Sequence, residues 1–85
     1  MKYYVYILYI ETSDQYYTGF THDISTRLIK HNAGSTPSTR PGIPWRMIYS
    51  ETFDNKHDAI LRESDIKSRK SRIYIEKLIS KSSVD

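Results

Sequence analysis

A carboxylate within an apolar stripe is the first feature of this sequence that could do chemistry. At about 100° per residue, Ala59, Ile60 and Ile66 define an apolar helix face. Glu63 falls between them. Burial of a carboxylate is costly unless it meets a cation, a metal ion or hydrogen-bond donors. The simplest interpretation is an ion pair of Glu63 with Lys67, four residues further on, and a metal ion or hydrogen-bond donors are the alternatives.

Arg27 and His31 form a second candidate pair, beside another apolar stripe. They are four residues apart, along one edge of the stripe formed by Ile24 and Leu28. Arg27 is either an exposed surface residue or a group well placed to hold a phosphate bidentately. His31 is expected to be partly buried.

The tyrosines and one glycine are the third set. The chain has eight tyrosines, and six of them precede residue 18. Tyrosine is common in strands because its ring fills a half-buried pleated surface. Gly19 is less easily explained, since glycine weakens a strand unless the backbone bulges or another group approaches closely. Tyr17 and Gly19 point to the same face, so we expect open space beside a phenol there.

Three strands and three helices must position these residues. The stretch Tyr3–Ile10 is rich in β-branched and aromatic residues and apolar on both faces, which predicts a central strand. A polar turn at 11–14 and a strand over 15–20 predict an antiparallel hairpin. The further elements expected are a helix over 23–31, a loop over 32–44, a strand over 45–52, a helix over 55–67, a break at 68–71, and a third helix to about residue 80. The order ββαβαα predicts an α/β (α+β) fold in which helices flank a three-stranded, mostly antiparallel sheet.

Composition narrows the class of protein. We expect one domain over residues 1–85, with 81–85 as a frayed tail. The absence of cysteine excludes disulfides, thiolate metal sites and cysteine nucleophiles. No apolar run approaches the ~18 residues of a membrane span and no signal peptide is visible, so no membrane partner and a cytoplasmic location are expected. The net charge of +3 and the pI near 9.2 permit a polyanionic partner.

The motifs resemble those of the GIY-YIG nuclease superfamily, and more closely its small stand-alone members. The likeness rests on "YVY", then "YTG" after ten residues, Arg27 ten residues after Tyr17, "HN", and "AILRESDIK". It extends from Tyr3 to about Leu78. Tyr4 stands where the eponymous glycine would be, and Thr18 where isoleucine would be. No second DNA-binding domain accompanies the motifs, unlike in homing or repair members.

The resemblance implies an endonuclease that hydrolyses phosphodiester bonds in nucleic acid, DNA rather than RNA, in repair or DNA processing. It implies one divalent ion, Mg²⁺ or Mn²⁺, with Glu63 as the only protein ligand. Arg27 would stabilise the transition state, either Tyr6 or Tyr17 would act as base, and His31 would assist. Residues expected to shape the site are Tyr4, Gly19 and Asn32. The alternative is a non-catalytic nucleic-acid-binding module on the same fold.

Basic residues could track a nucleic-acid backbone. Four of them follow the helix of Glu63 and two flank the proline-rich loop. In chain order they are Arg40, Arg46, Lys67, Arg69, Lys70 and Arg72. For each of them the alternative is a solvated surface position.

Overall fold

A computed structural model describes residues 1–34 and 44–82 of the chain. The elements are β1 (Tyr3–Ile10), β2 (Gln15–Thr21), α1 (Ile24–Asn32), β3 (Arg46–Phe53), α2 (Lys56–Arg69) and α3 (Arg72–Ser82). This is the predicted ββαβαα order of an α+β fold. None of the helices among the described residues is both long and apolar enough to cross a membrane.

The sheet has the order β2-β1-β3, and β1 is antiparallel to both neighbours. The central position predicted for Tyr3–Ile10 is confirmed, because a strand buried on both faces belongs inside a sheet. In the register of β1 with β2, Tyr6 lies opposite Gly19 and Leu8 lies opposite Tyr17. The register with β3 shifts between Ile7 and Leu8, which marks a β-bulge in that pair.

Each face of β1 contributes to a different apolar core. On one face Tyr6, Leu8 and Ile10 pack with Trp45, and the half-buried Tyr17 and Leu28 join them. On the other face Val5 packs with Ala59 and Ile66 of α2. Partly buried residues complete this second core, namely Tyr3, Phe20, Phe53, Tyr74, Ile75 and Leu78. Helix α1 therefore packs on one side of the sheet, and α2 and α3 pack on the other.

Local sequence signals set the helix ends. The Asp23 side chain caps α1 by accepting from the Thr26 N–H, and Asn55 caps α2 in the same way. Lys70 caps the C-terminal end of α2, and its backbone is left-handed with φ 46°. Helix α3 continues through Ser82 and so includes the first two residues of the tail expected over 81–85. The rest of that expected tail, 83–85, and most of the predicted loop, 35–43, lie outside the described residues.

One edge of the predicted α2 stripe is wrong. Ile60 is 39% exposed, since it lies about 100° around the helix from Ala59. On the opposite edge, Arg62 donates to both carboxylate oxygens of Glu51 at 2.9 Å. Arg62 also donates to Asp65 and to the Tyr74 hydroxyl, each at 2.9 Å. A single guanidinium thereby joins β3, α2 and α3, and the sequence reasoning did not anticipate this network.

Candidate active site

Tyr6 is at the centre of the candidate site. Its side chain projects from β1, and the residue is 2% exposed. The hydroxyl lies 3.1 Å from His31 Nε2 and accepts a hydrogen bond of 3.4 Å from Arg27 Nε. One phenol thus connects the central strand to the two polar residues of α1.

Gly19 makes room for that phenol. A Cβ at Gly19 would lie 2.5 Å from the Tyr6 hydroxyl oxygen and 2.7 Å from its Cζ, closer than real Cβ contacts allow. The Tyr6 ring therefore extends across β2 through the volume that a side chain at residue 19 would fill. Open space beside Tyr17 was expected here. Instead, the space is filled, and the phenol that fills it is that of Tyr6.

His31 is fully buried between two tyrosine rings, whereas partial burial was expected. Its ring centroid lies 5.1 Å from that of Tyr17 and 6.1 Å from that of Tyr6, both in edge-on geometry. Leu28, one helical turn earlier, packs into the same core. Arg27 is thus held at the phenols because its neighbours on α1 are packed.

The electrostatics of the cluster keep Tyr6 protonated and His31 neutral near pH 7. Burial raises the pKa of Tyr6, and the hydrogen bond and charge of Arg27 offset this only in part. Burial, with a further contribution from the Arg27 charge, lowers the pKa of His31. A neutral imidazole can accept a proton, so Tyr6 can donate to His31 while it accepts from Arg27.

Glu63 forms one of the interactions that the sequence left open for it, the ion pair with Lys67. Its carboxylate, 18% exposed, lies 3.1 Å from Lys67 Nζ, so the expected ion pair is formed. The same Lys67 Nζ lies 5.7 Å from the centroid of the Tyr17 ring. The Glu63 charge also contributes to the raised pKa of Tyr6. Since α2 packs on the face of the sheet opposite Tyr6, these contacts extend around the β2 edge.

The donor set fits a hard divalent cation bound through one carboxylate. Three acidic residues are half-buried among the described residues, namely Glu51, Glu63 and Asp65. Arg62 binds two of them, whereas the ion-pair partner of Glu63 is a lysine that is half exposed. No group of three or more histidine and acidic residues suited to a metal is present in ranges 1–34 and 44–82. Glu63 would therefore hold Mg²⁺ or Mn²⁺ with water and substrate oxygens as the other ligands.

The basic residues divide into separate groups. Arg69 stacks on Tyr74 at 4.2 Å and lies 3.5 Å from Asp65, so it belongs to the Arg62 network. Lys67, Lys70 and Arg72 instead line one recess beside β2. Arg46 lies on β3, over the Tyr9 ring at 5.6 Å. Arg40 lies outside the described residues.

Asn32 and Tyr4 have different surroundings. The Asn32 side chain accepts from the Trp45 N–H at 2.6 Å and donates to the Trp45 carbonyl at 2.9 Å. This paired amide joins the end of α1 to the start of β3. Tyr4 is half-buried on the same face of β1 as Tyr6, two residues earlier. Among the described residues, no hydrogen bond, ion pair or ring contact joins Tyr4 to the cluster around Tyr6.

Similar proteins were found by sequence and by structure. The family model for the GIY-YIG catalytic domain matches residues 2–78. A UPF0213 protein of Staphylococcus saprophyticus subsp. saprophyticus is 40% identical over 82 residues, covering 93% of this chain and 95% of that protein. A UPF0213 protein of Haloquadratum walsbyi is 40% identical over 70 residues, covering 80% and 79%.

Comparison with solved structures also finds a UPF0213 protein. The solution NMR structure of a UPF0213 protein from Bacillus halodurans has 36% sequence identity and a TM-score of 0.59, covering 94% of this chain and 84% of that one. The matches span nearly all of the chain, and they confirm the resemblance inferred from the two triplets, Arg27 and the α2 motif. The chain therefore belongs to the GIY-YIG family of nucleases, and the relatives described here are UPF0213 proteins.

Proposed function

We propose that this protein is a metal-dependent endonuclease that hydrolyses phosphodiester bonds in nucleic acid, DNA rather than RNA, in repair or DNA processing. The observation that carries the proposal is the contact of the Tyr6 hydroxyl with both Arg27 and His31, with Tyr17 packed against His31, on the fold of a nuclease family. Packing alone does not require a hydroxyl, an imidazole and a guanidinium in contact.

Arg27 is the charge stabiliser in this proposal. A phosphodiester gains negative charge on its oxygens as the transition state forms, and a preorganised cation beside them lowers the barrier. The Tyr6 phenol raises the pKa of Arg27 through its hydrogen bond, so the guanidinium is charged at all working pH values. Only Nε is directed at Tyr6, and a guanidinium has further N–H donors for a phosphate.

Tyr6 and His31 handle the proton. A phenol whose pKa burial has raised is a poor base by itself. With a neutral His31 at its hydroxyl, however, Tyr6 can pass its own proton to Nε2 as it takes one from water. Tyr17 packs against His31 and completes the wall around this pair. We assign Tyr6 to the proton relay on this contact, and Tyr17 to orienting the imidazole and the water.

Glu63 is the residue that would hold the divalent ion. The bound ion supplies a Lewis acid for the leaving oxygen, since hard cations stabilise developing negative charge there. Lys67 forms an ion pair with the same carboxylate, and half of the Lys67 side chain is exposed, so its ammonium could move into solvent when a cation binds.

A second candidate is a non-catalytic nucleic-acid-binding module. Two observations favour it: Lys67 already neutralises Glu63, and burial holds the Tyr6 pKa above its ordinary value. Such a module would keep the basic surface but would not need Glu63.

Cleavage assays with labelled single-stranded, duplex, flap and branched substrates separate the two candidates. With Mg²⁺ or Mn²⁺ the endonuclease cleaves at least one substrate, and EDTA abolishes cleavage. Glu63→Gln should abolish it too while leaving the circular dichroism spectrum unchanged, because it keeps the side-chain shape and removes only the charge. Cleavage that survives both treatments contradicts the mechanism. Tight binding without cleavage of any substrate supports the module.

A further inference from the structure

A recess lies beside the candidate site and takes no part in the chemistry proposed above. Its walls are the β1–β2 turn, the edge strand β2 and the junction of α2 with α3. Its lining residues include Asp14, Tyr16, Thr18, Lys67, Lys70 and Arg72. The volume of about 430 Å³ falls within the range of small-ligand sites, and it is sufficient for one nucleotide.

The recess is basic. Three cations line it, against one carboxylate, that of Asp14. The Arg72 guanidinium donates to a side-chain oxygen and to the main-chain oxygen of Asp14, and it so neutralises the Asp14 charge. Lys70 is exposed and, within the part of the chain described, has no carboxylate within ion-pair distance. The remaining charge in the recess is therefore positive and suits a phosphate.

Lys70 holds its position at a conformational cost. It closes α2 with φ 46°, a left-handed backbone that glycine or asparagine adopts more easily than lysine. Its left-handed conformation turns the chain from α2 into α3 and leaves the lysine on the wall of the recess. Glycine would end the helix here with less strain, so the lysine at residue 70 is not explained by helix termination alone.

Lys67 connects the recess to the candidate site. The residue lines the recess, yet its ammonium lies 3.1 Å from Glu63 and 5.7 Å from the Tyr17 ring centroid. A strand with one phosphate at Arg27 and Glu63 therefore reaches the recess by passing this single side chain.

We propose that this recess binds a backbone phosphate of the nucleotide next to the scissile bond, on a single-stranded segment of the substrate. The proposal rests on the proposed function, because it takes its direction from the candidate site. Lys70 supplies the main contact, and Lys67 contributes once it leaves Glu63. The recess binds the phosphodiester backbone and not a particular base, since the Tyr16 ring is already covered by Arg72 and Tyr9.

Binding measured without metal tests this directly. The probe is fluorescein-labelled oligothymidylate in EDTA, and the readout is the dissociation constant as a function of salt. Lys70→Asn removes the charge and suits the left-handed backbone, so the fold is kept. Lys77→Asn is the matched control, because Lys77 is an exposed lysine of α3 that does not line the recess.

Lys70→Asn should weaken binding roughly fivefold and reduce the salt slope by about 0.7, the value for one phosphate contact on a single strand. Lys77→Asn should change neither. Equal losses in both variants, or no loss in Lys70→Asn with its thermal unfolding unchanged, would overturn the proposal. An equal Lys70 effect on a duplex of the same length would overturn its single-strand part. If Lys70→Gly, which also suits this backbone, binds like the parent, the charge has no role.

The same measurements separate this inference from the proposed function. A Lys70-specific loss of binding in a protein that cleaves nothing supports the recess and contradicts the nuclease. Cleavage by the parent with unchanged binding in Lys70→Asn supports the nuclease and contradicts the recess.

Discussion

At the scale of single residues, the site depends on two side chains that each contact two others, Tyr6 through hydrogen bonds and Lys67 through its charge. Tyr6 stands between Arg27 and His31, so its hydroxyl accepts from Arg27 and can donate to a neutral His31. Lys67 stands between Glu63 and the Tyr17 ring, so it neutralises the carboxylate that would hold a metal. The contacts of Tyr6 and of Lys67 each lead to one prediction.

Replacing Arg27 should affect the rate rather than the affinity. Arg27→Ala should cut the single-turnover cleavage rate by roughly a hundredfold or more, the scale of losing one preorganised charge stabiliser. The affinity for nucleic acid should change little, because exposed lysines provide most of that attraction. Arg46→Ala, an exposed arginine away from Tyr6, is the control. A saturated rate that holds while binding weakens would make Arg27 only a phosphate anchor.

Replacing Lys67 should strengthen metal binding. A cation entering at Glu63 has to displace the Lys67 ammonium, so Lys67→Gln should tighten Mn²⁺ binding by roughly fivefold, the scale of one exposed ion pair. Isothermal titration calorimetry without nucleic acid measures this and needs no activity. Lys77→Gln, which also loses one positive charge, should leave the affinity as it is. Equal affinities in Lys67→Gln and the parent would mean that the metal does not bind at Glu63.

At the scale of elements, the network around Arg62 holds α2 and α3 to the sheet. Arg62→Ala leaves Glu51 half-buried without its main partner and should reduce the free energy of unfolding by about 1–3 kcal/mol. Arg69→Ala, whose ion pair is about half exposed, should cost less than about 1 kcal/mol. Urea denaturation of both variants measures the difference. Equal losses would show that the bidentate pair contributes no more than an exposed one.

Strand β1 and the helix starts could be predicted from sequence because each has a strong local signal. The two-faced apolarity of Tyr3–Ile10 predicted its bounds and its central position, and the helix starts expected at residues 23 and 55 lie one residue before those observed. Ile60 was misplaced because a stripe defined by three residues does not settle its own edges. The Arg62 network was missed because Glu51 is eleven residues away in the chain. The one feature of the sequence that indicated this network was an arginine, Arg62, at the edge of the apolar face of α2.

At the scale of the whole molecule, the candidate site combines residues that are distant in sequence. The contact of Arg27 and His31 with a phenol could be expected only from the family resemblance. Which phenol they would meet could not, since it depends on the register that sets Gly19 opposite Tyr6. The sequence also did not show that the basic residues after Glu63 divide into two groups. The break between α2 and α3 at Lys70 places Arg69 over Tyr74 and Arg72 over Tyr16.

Burial of His31 should make the stability of the molecule depend on pH. Its pKa is lowered in the folded state, so the unfolded chain binds the extra proton below about pH 6.5. The free energy of unfolding should therefore decrease as the pH falls from 7.5 towards 5.5. Thermal unfolding across this range measures it. His31→Gln should flatten the dependence, whereas His57→Gln, at an exposed position of α2, should keep it. A parent protein with constant stability over this range would contradict a buried, neutral His31.

The central position of β1 also determines how long the Tyr6 hydroxyl stays at the site. This strand is hydrogen-bonded on both sides and contributes to the cores on both faces, so it cannot open locally while the rest remains intact. Its amide protons should exchange with solvent only through global unfolding, and those of the edge strand β2 should exchange sooner. The backbone of Tyr6 is thus held in the sheet for the lifetime of the native state, which fixes the point from which its phenol reaches Arg27 and His31.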